Sequence, residues 1–284
     1  MILGVQLSFR TKLLEIVKEA ETLGCNTIQF FSHNPRQWRS SFNLEEEEIK
    51  KFKFQLRIAK IEPLFIHLPY LINIASPDEK LYQRSIKAFI EAIKEADKLG
   101  ANFLITHMGS HRKAGERFGL NRIVSALDTI LDKTYDSSIV ILLENTSGSG
   151  SWLGYSFSHH GFILRKVKNK RRLGLCLDTC HAYVAGYDIS KEEGLKILFK
   201  EIKEEVGIDR LRLVHLNDAK DRCGSLRDRH ADIAKGYIGI EGMQAIINHP
   251  YLKRIPFILE TPKKTDRDDI RNLNMVKSLR YESE

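Results

Sequence analysis

No stretch of 18 apolar residues occurs in the chain, so nothing in it reads as a membrane-spanning helix. Cysteine is scarce. The four present, Cys25, Cys176, Cys180 and Cys223, form no Cys-x-x-Cys pair and are read as structural thiols in a reducing cytosol. Cys176 and Cys180 fall in and just after an expected core strand, where a reduced thiol packs as a small hydrophobe. The amino terminus, Met1-Ile-Leu-Gly-Val-Gln, has neither a basic n-region nor a small-residue cleavage site, which predicts a cytoplasmic protein. Gly148-Ser-Gly150 is glycine-rich but lacks the Gly-Lys-Ser/Thr ending of a P-loop. No Ser-His-Asp or reactive-cysteine arrangement stands out, and no linker or low-complexity segment interrupts the chain. A single domain over residues 1–284 is expected.

Positive charge is in modest excess, with 45 Lys plus Arg against 37 Asp plus Glu and a net charge of +8. Such an excess, spread along the chain, suits a polyanionic partner, most often nucleic acid, and equally a solubilising surface. Hydrophobic residues make up 42% of the chain, enough for a substantial core.

Six apolar runs each end on a residue that binds metal well: Leu64-Phe-Ile-His67, Phe103-Leu-Ile-Thr-His107, Ile139-Val-Ile-Leu-Leu-Glu144, Leu173-Gly-Leu-Cys-Leu-Asp178, Leu211-Arg-Leu-Val-His215 and Phe257-Ile-Leu-Glu260. Their end residues are 40, 37, 34, 37 and 45 positions apart. A buried strand with its crossover helix and loops needs roughly 30 or more residues. Two further strand-like runs, Ile2–Leu7 and Thr27–Phe31, precede the six. Eight strands alternating with eight helices predict an α/β fold, a single (β/α)8 TIM barrel with its site at the C-terminal rim of the strands.

The helices are expected over 11–23, closed by Gly24, and from an acidic start at Glu45–Glu48 capped by Asn43. A long one should open at Ser76-Pro77 and end at Leu99-Gly100, and the rest near 116–135, 157–169, 190–206, 241–248 and 266–280. Asn217 to Gly239 is the longest irregular stretch, rich in Asp, Arg and Gly, and a loop of that length in a compact domain is usually functional.

Imidazoles and carboxylates in one set suit zinc, and also manganese or iron. Beyond the six strand ends, His181 follows Asp178 closely, and Asp228-Arg-His230 adds a second pair in the long loop. Nine candidates exceed the three or four ligands of one tetrahedral ion and suit a cluster of two or three ions. Closely spaced divalent ions serve phosphodiester hydrolysis by neutralising phosphate, supplying hydroxide and stabilising the leaving oxygen. His33, His111, His159, His160 and His249 lack this placement and are read as surface or supporting groups.

Four motifs, Asp178-Thr-Cys-His-Ala-Tyr-Val-Ala-Gly-Tyr-Asp188, His215-Leu-Asn-Asp-Ala-Lys220, Gly224-Ser-Leu-Arg-Asp-Arg-His230 and Glu144-Asn-Thr146, resemble those of the endonuclease IV family of zinc-dependent apurinic/apyrimidinic endonucleases. The likeness runs collinearly from the first strand to Leu259-Glu-Thr261. It implies a trinuclear zinc centre, with manganese possible at one site. His67 and His107 would hold one ion, with Glu144 bridging to a second. Asp178, His215 and Glu260 would complete the second site, and His181, Asp228 and His230 would hold the third. The implied partner is duplex DNA containing abasic sites, cut by a monomer 5′ to the lesion to leave a 3′-hydroxyl and a 5′-deoxyribose phosphate. A metal-activated hydroxide would attack, with Glu144 holding bridging metals rather than acting alone as a base. Asn34-Pro-Arg36-Gln-Trp38 and Tyr70-Leu71-Ile-Asn73 match the family's DNA-penetrating loops, which makes Arg36, Tyr70 and Leu71 the DNA-binding candidates.

The chain departs from the family pattern where His-Pro-Gly-Ser reads His107-Met108-Gly-Ser110, where Ala and Gln read Ser147 and Ser149, and where Ile-Gly-x-Gly reads Ile233-Ala234-Lys235-Gly236. No ligand candidate is lost. The alternative is a metal-dependent sugar isomerase or epimerase, which uses a similar barrel but usually one or two ions. The extra set His181, Asp228 and His230, with the Arg36 and Tyr70 loops, argues against it. A lesion-binding protein without catalysis would be expected to have lost a ligand.

Overall fold

The computed structural model describes residues 1–8, 12–31, 38 and 45–281. Eight parallel strands close into a barrel: Leu3–Leu7, Ile28–Phe31, Leu64–His67, Phe103–His107, Val140–Glu144, Leu173–Asp178, Leu211–His215 and Phe257–Leu259. Each pairs with its sequence neighbour, and the first pairs with the last, Leu3 facing Phe257. The strands are apolar almost throughout because both faces are covered, one by helices and one by the barrel interior.

Two buried clusters result. The larger lies between strands and helices, and the smaller gathers Phe65, Ile105, Leu142, Cys176, Leu213 and Ile258, one residue from each of six successive strands. Side chains two positions apart on a strand share a face. The next inward position on each strand is therefore His67, His107, Glu144, Asp178, His215 and Glu260. The barrel fills its interior with one apolar layer and crowns it with six polar groups.

The eight expected helices are found with shifts at the ends, and a further one that was not expected, Thr179–Ala185, follows Asp178 and carries His181. Glu79–Leu99 is capped by Asp78, whose carboxylate accepts from the Leu81 amide, rather than by Ser76. Ser76 spends its hydroxyl on the Asp78 amide in the turn before it, because the residue preceding a proline is held out of helical conformation. Thr11 and Asn43 lie outside the described residues, and the helices there run Leu13–Leu23 and Glu46–Ile58. The helix Glu192–Glu201 continues into a single wide turn, Ile202–Val206.

The segment Asn217–Gly239 is more ordered than its composition predicts. Asp218–Ala219 pairs antiparallel with His230–Ala231. The buried Asp218 carboxylate then accepts from the amides of Ala219, Gly236, Ile238 and Gly239 at 2.7–3.3 Å. A side chain at Gly236 would collide with the Ala219 carbonyl, 2.3 Å from the position of its Cβ.

All four cysteines are free thiols, and no helix among the described residues is long and apolar enough to cross a membrane.

Candidate metal centre

Glu144 ends the fifth strand fully buried, and imidazole nitrogens face both its oxygens. His67 Nε2 lies 3.0 Å and His107 Nε2 3.3 Å from Oε2, while His215 Nδ1 lies 3.0 Å from Oε1. His215 Nδ1 is also 3.4 Å from Glu260 Oε2. Across the rim, His181 Nε2 stands 3.1 Å from Asp228 Oδ2, and His230 Nε2 stands 3.4 Å from Asp228 Oδ1 and 3.6 Å from Asp178 Oδ2. The nine candidates therefore meet as overlapping groups. His67, His107 and Glu144 form one, Glu144, Asp178, His215 and Glu260 a second, Asp178, His181 and His230 a third, and Asp228 and His230 with Cys180 a fourth, each with ligand atoms within 4.8 Å of one another.

The second nitrogen of four imidazoles is already committed. His67 Nδ1 donates to the Leu68 carbonyl, His181 Nδ1 to that of Asn145, and His230 Nδ1 to that of Glu260, at 2.7–2.9 Å. His215 Nε2 donates to the Gln29 side-chain oxygen at 2.8 Å. These bonds fix the tautomers and leave a lone pair on the nitrogen that faces the carboxylates. A lone pair opposite a carboxylate oxygen is repulsive unless a proton or a metal cation sits between them. Among the described residues, His230 Nε2 is buried without a hydrogen-bond partner.

Electrostatics point the same way. Four carboxylates and five imidazoles share this rim. Burial alone would push the histidine pKa values down, yet Asp178 and Asp228 hold His181 well above its ordinary value. Cys176, Glu260 and Glu144 do the same for His215. His230 is raised to about 9 against its burial, with Asp178 and Asp228 responsible. His107 is the exception, pushed down to about 4 by burial. Burial works against ionisation of Glu144, but the imidazoles of His107 and His215 overcome it and hold the carboxyl well below the usual range. The site binds protons tightly because it is an anionic cage, and divalent cations fit the same need. Its nitrogen and oxygen donors suit zinc, manganese or iron.

Neutral side chains brace the cage. Gln29, buried on the second strand, donates to Glu260 at 2.8 Å and to Gln6 at 2.6 Å. Asn217 donates to Asp178 Oδ2 at 2.7 Å and accepts from the Glu260 amide at 2.8 Å. Asn145 pairs with the Asp178 backbone in both directions. None of these was singled out from the sequence, although Gln6 and Gln29 interrupt otherwise apolar strands. Cys180 also comes within ligand distance of Asp228 and His230, but burial pushes its thiol pKa up and the thiol donates to the Arg229 carbonyl.

Beside the cage lies a cavity of about 240 Å³ lined by Tyr70, His107, Thr146, Ser147, Ser149, Trp152, His181 and Asp228. Tyr70 is exposed and stacks on His107 with ring centres 5.4 Å apart, and Trp152 meets His107 edge-on at 6.0 Å. Leu71 is half-buried beside Tyr70 and does not line the cavity. Asn73 ties this loop to the one after His107, donating to the Ser110 carbonyl and accepting its amide. Trp152 had no signal in the sequence beyond its neighbourhood to Glu144-Asn-Thr146. Arg36 and His33 lie outside the described residues.

His111, His159, His160 and His249 stay apart from the cage. His159 and His160 are buried in Phe157–Lys166, not on the surface, and His159 Nδ1 accepts the Gly154 amide. Met108 is buried against Gly154, so that departure fills core rather than the cavity. Ala234 takes a left-handed φ of 62°, where the related pattern has glycine.

A family model described as xylose isomerase-like TIM barrel matches residues 17–281. A probable endonuclease 4 of Halothermothrix orenii is 39% identical over 278 residues, covering 98% of this chain and 99% of that one. That of Cenarchaeum symbiosum is 40% identical over 281 residues with the same coverage. The crystal structure of endonuclease IV from Thermus thermophilus superposes with a TM-score of 0.87 at 32% identity, covering 98% of each chain. A D-psicose 3-epimerase from Clostridium cellulolyticum superposes with a TM-score of 0.68 at 12% identity, a likeness of fold alone.

Proposed function

The chain belongs to the endonuclease IV family, and from that premise we propose that it is a DNA repair endonuclease acting on abasic sites in duplex DNA. In this reading it is a metal-dependent phosphodiester hydrolase that cuts 5′ to the lesion, leaving a 3′-hydroxyl and a 5′-deoxyribose phosphate. One observation carries the metal requirement: four imidazoles each give one nitrogen to a neutral oxygen and aim the other at carboxylates.

Three ions, zinc foremost and manganese admissible at one position, fit the donor sets. His67, His107 and Glu144 would hold the first. Glu144, Asp178, His215 and Glu260 would hold the second, and His181, Asp228 and His230 the third. Bound divalent ions would supply charge neutralisation for the phosphodiester and a water acidic enough to attack near neutral pH. The chain's own groups do the rest. Gln29, Asn145 and Asn217 lock the carboxylates and imidazoles in place, which is the orienting role of an outer ligand shell. Tyr70 and Trp152, flanking His107, wall the cavity where a displaced sugar would sit. Arg36, Tyr70 and Leu71 would contact the DNA around the gap, and the monomer would suffice for one lesion.

The epimerase alternative accounts for the barrel and the Glu144–Glu260 group but gives His181, Asp228 and His230 no task. Elemental analysis alongside a cleavage assay separates the two. About three ions per chain with incision 5′ to a single abasic site supports the nuclease. A single ion with no incision, and turnover of a ketose, would replace it.

A further inference from the structure

The excess of positive charge, expected to be spread along the chain, is concentrated in one segment. Residues 165–172, Arg-Lys-Val-Lys-Asn-Lys-Arg-Arg, hold six cations and no acid. Without them the net charge would fall from +8 to +2. This segment leaves helix Phe157–Lys166 and enters the sixth strand at its N-terminal end, while Asp178 closes the other end of that strand at the cage. Six strand residues span about 20 Å, so the segment lies on the barrel face opposite the metal centre.

The cations divide into two kinds. Arg172 is half-buried and donates to the carbonyls of Ile139 and Thr134, and Arg165 pairs with Glu205 at 2.8 Å. Arg210 braces the turn from below through the carbonyls of Lys170 and Leu173. The Asn169 side chain caps the short turn Lys170–Arg172, and Asp128 Oδ1 accepts the Lys168 amide. Upon this fixed turn, Lys166, Lys168, Lys170 and Arg171 are exposed and form no ion pair among the described residues. Arg212 is exposed on the adjacent strand, its stem against Gly174. Asp128 and Asp132 flank one side of the turn, sharing a hollow with Lys168 and the highly exposed Tyr135.

We propose that this turn is a second surface for duplex nucleic acid, able to hold another stretch of double helix while the metal rim engages its own. Because the turn's backbone is already fixed, only side-chain freedom is lost when its cations meet the regular charge of a phosphate backbone. A lipid surface fits less well, since the only apolar side chain of the segment, Val167, is buried, and the exposed Tyr135 beside it shares its hollow with Asp128 and Asp132. The inference goes beyond the nuclease reading and stands without it, because its test uses lesion-free DNA.

The test compares the wild type with the triple variant Lys168→Ala, Lys170→Ala, Arg171→Ala on a long lesion-free duplex across a salt series. Each phosphate contact contributes a slope of about 0.9 in log–log form, so the variant should lose roughly two to three units of slope. Energy transfer between donor- and acceptor-labelled duplexes should reveal bridging by the wild type and none by the variant. Incision of a short abasic duplex should be equal in both, which separates failure of this surface from failure of the nuclease. A variant replacing the same three with Arg, Arg and Lys should bridge normally, guarding against misfolding. An unchanged salt slope and undiminished bridging would overturn the proposal and leave the cations as a solubilising face. Preference of the turn for single-stranded RNA over duplex would overturn it too.

Discussion

His215 gives its Nε2 proton to Gln29 and turns Nδ1 to Glu144, 3.0 Å away. One residue on the second strand thereby sets the tautomer of a residue on the seventh, and that tautomer sets what the buried carboxylate of the fifth can share. The same logic repeats around the rim with backbone carbonyls in place of Gln29. The cage is preorganised by neutral partners before any cation enters, which spares the ordering cost at binding.

Glu144→Gln should abolish incision of abasic duplex while leaving measurable binding to it. The amide keeps the shape but removes the charge that faces His67, His107 and His215. It would also turn a donor toward nitrogens or cations. Metal content by elemental analysis should fall, and cleavage at the wild-type rate would remove Glu144 from its bridging role.

Chelation should make stability depend on pH in a defined direction. Without metal, His230 has a folded pKa of about 9, above its unfolded value of about 6.5, and His181 and His215 are raised too. Raised histidines contribute stability that is complete below pH ~6.5 and lost as pH rises through ~9. For His230 alone the loss is on the order of 3 kcal/mol. Urea midpoints of chelated protein should therefore drop between pH 6 and 9.5, and those of metal-loaded protein should change far less. A flat profile for the chelated form would contradict the anionic-cage account.

Tyr70→Ala and Trp152→Ala should each weaken binding to abasic duplex by about 5- to 150-fold, since an aromatic group that stacks on a nucleotide contributes ~1–3 kcal/mol. Neither residue supplies a ligand atom, so metal content should stay unchanged. Loss of metal from the Tyr70 variant would make its stacking on His107 a structural contact instead.

Much of this centre was legible because a parallel barrel strand is buried on both faces. Its apolar run stops where the chain reaches the rim, and the two-residue repeat carries the last side chain inward above Leu142, Cys176 or Leu213. Asn145 and Asn217 were visible within motifs but not as braces, since an amide's partners are set by neighbouring strands rather than by local spacing. The ladder Asp218–Ala219 with His230–Ala231 is too short to carry a periodic signal. Trp152 lies in a loop whose course no hydrophobic pattern predicts. The cap at Asp78 shows a local competition in which Ser76 was drawn into the preceding turn.

Asp218→Ala should release the loop that carries Asp228 and His230. Its carboxylate satisfies four amides in a buried setting, and each unsatisfied buried donor costs about 1–3 kcal/mol. The loop would then sample other conformations, and the cation held through Asp228 and His230 should bind more weakly than those at Glu144. Metal titration should show one ion lost first, with the barrel's circular dichroism retained. Uniform weakening of every ion would mean that Asp218 serves the whole barrel rather than this loop.

Ala234→Gly tests the same loop from the opposite side. Ala234 holds a φ of 62°, a left-handed conformation that costs a residue with a Cβ about 1–2 kcal/mol. Glycine removes that cost but adds freedom to the unfolded chain, an opposing effect of about 0.4–1 kcal/mol. The first effect is the larger, so the substitution should raise stability by roughly 0.5–1 kcal/mol, although alanine-to-glycine changes ordinarily lower it. Half-buried and away from the cage ligands, residue 234 should leave the metal content as it was. A lower urea midpoint for Ala234→Gly would show that the methyl's packing against the core outweighs the backbone strain.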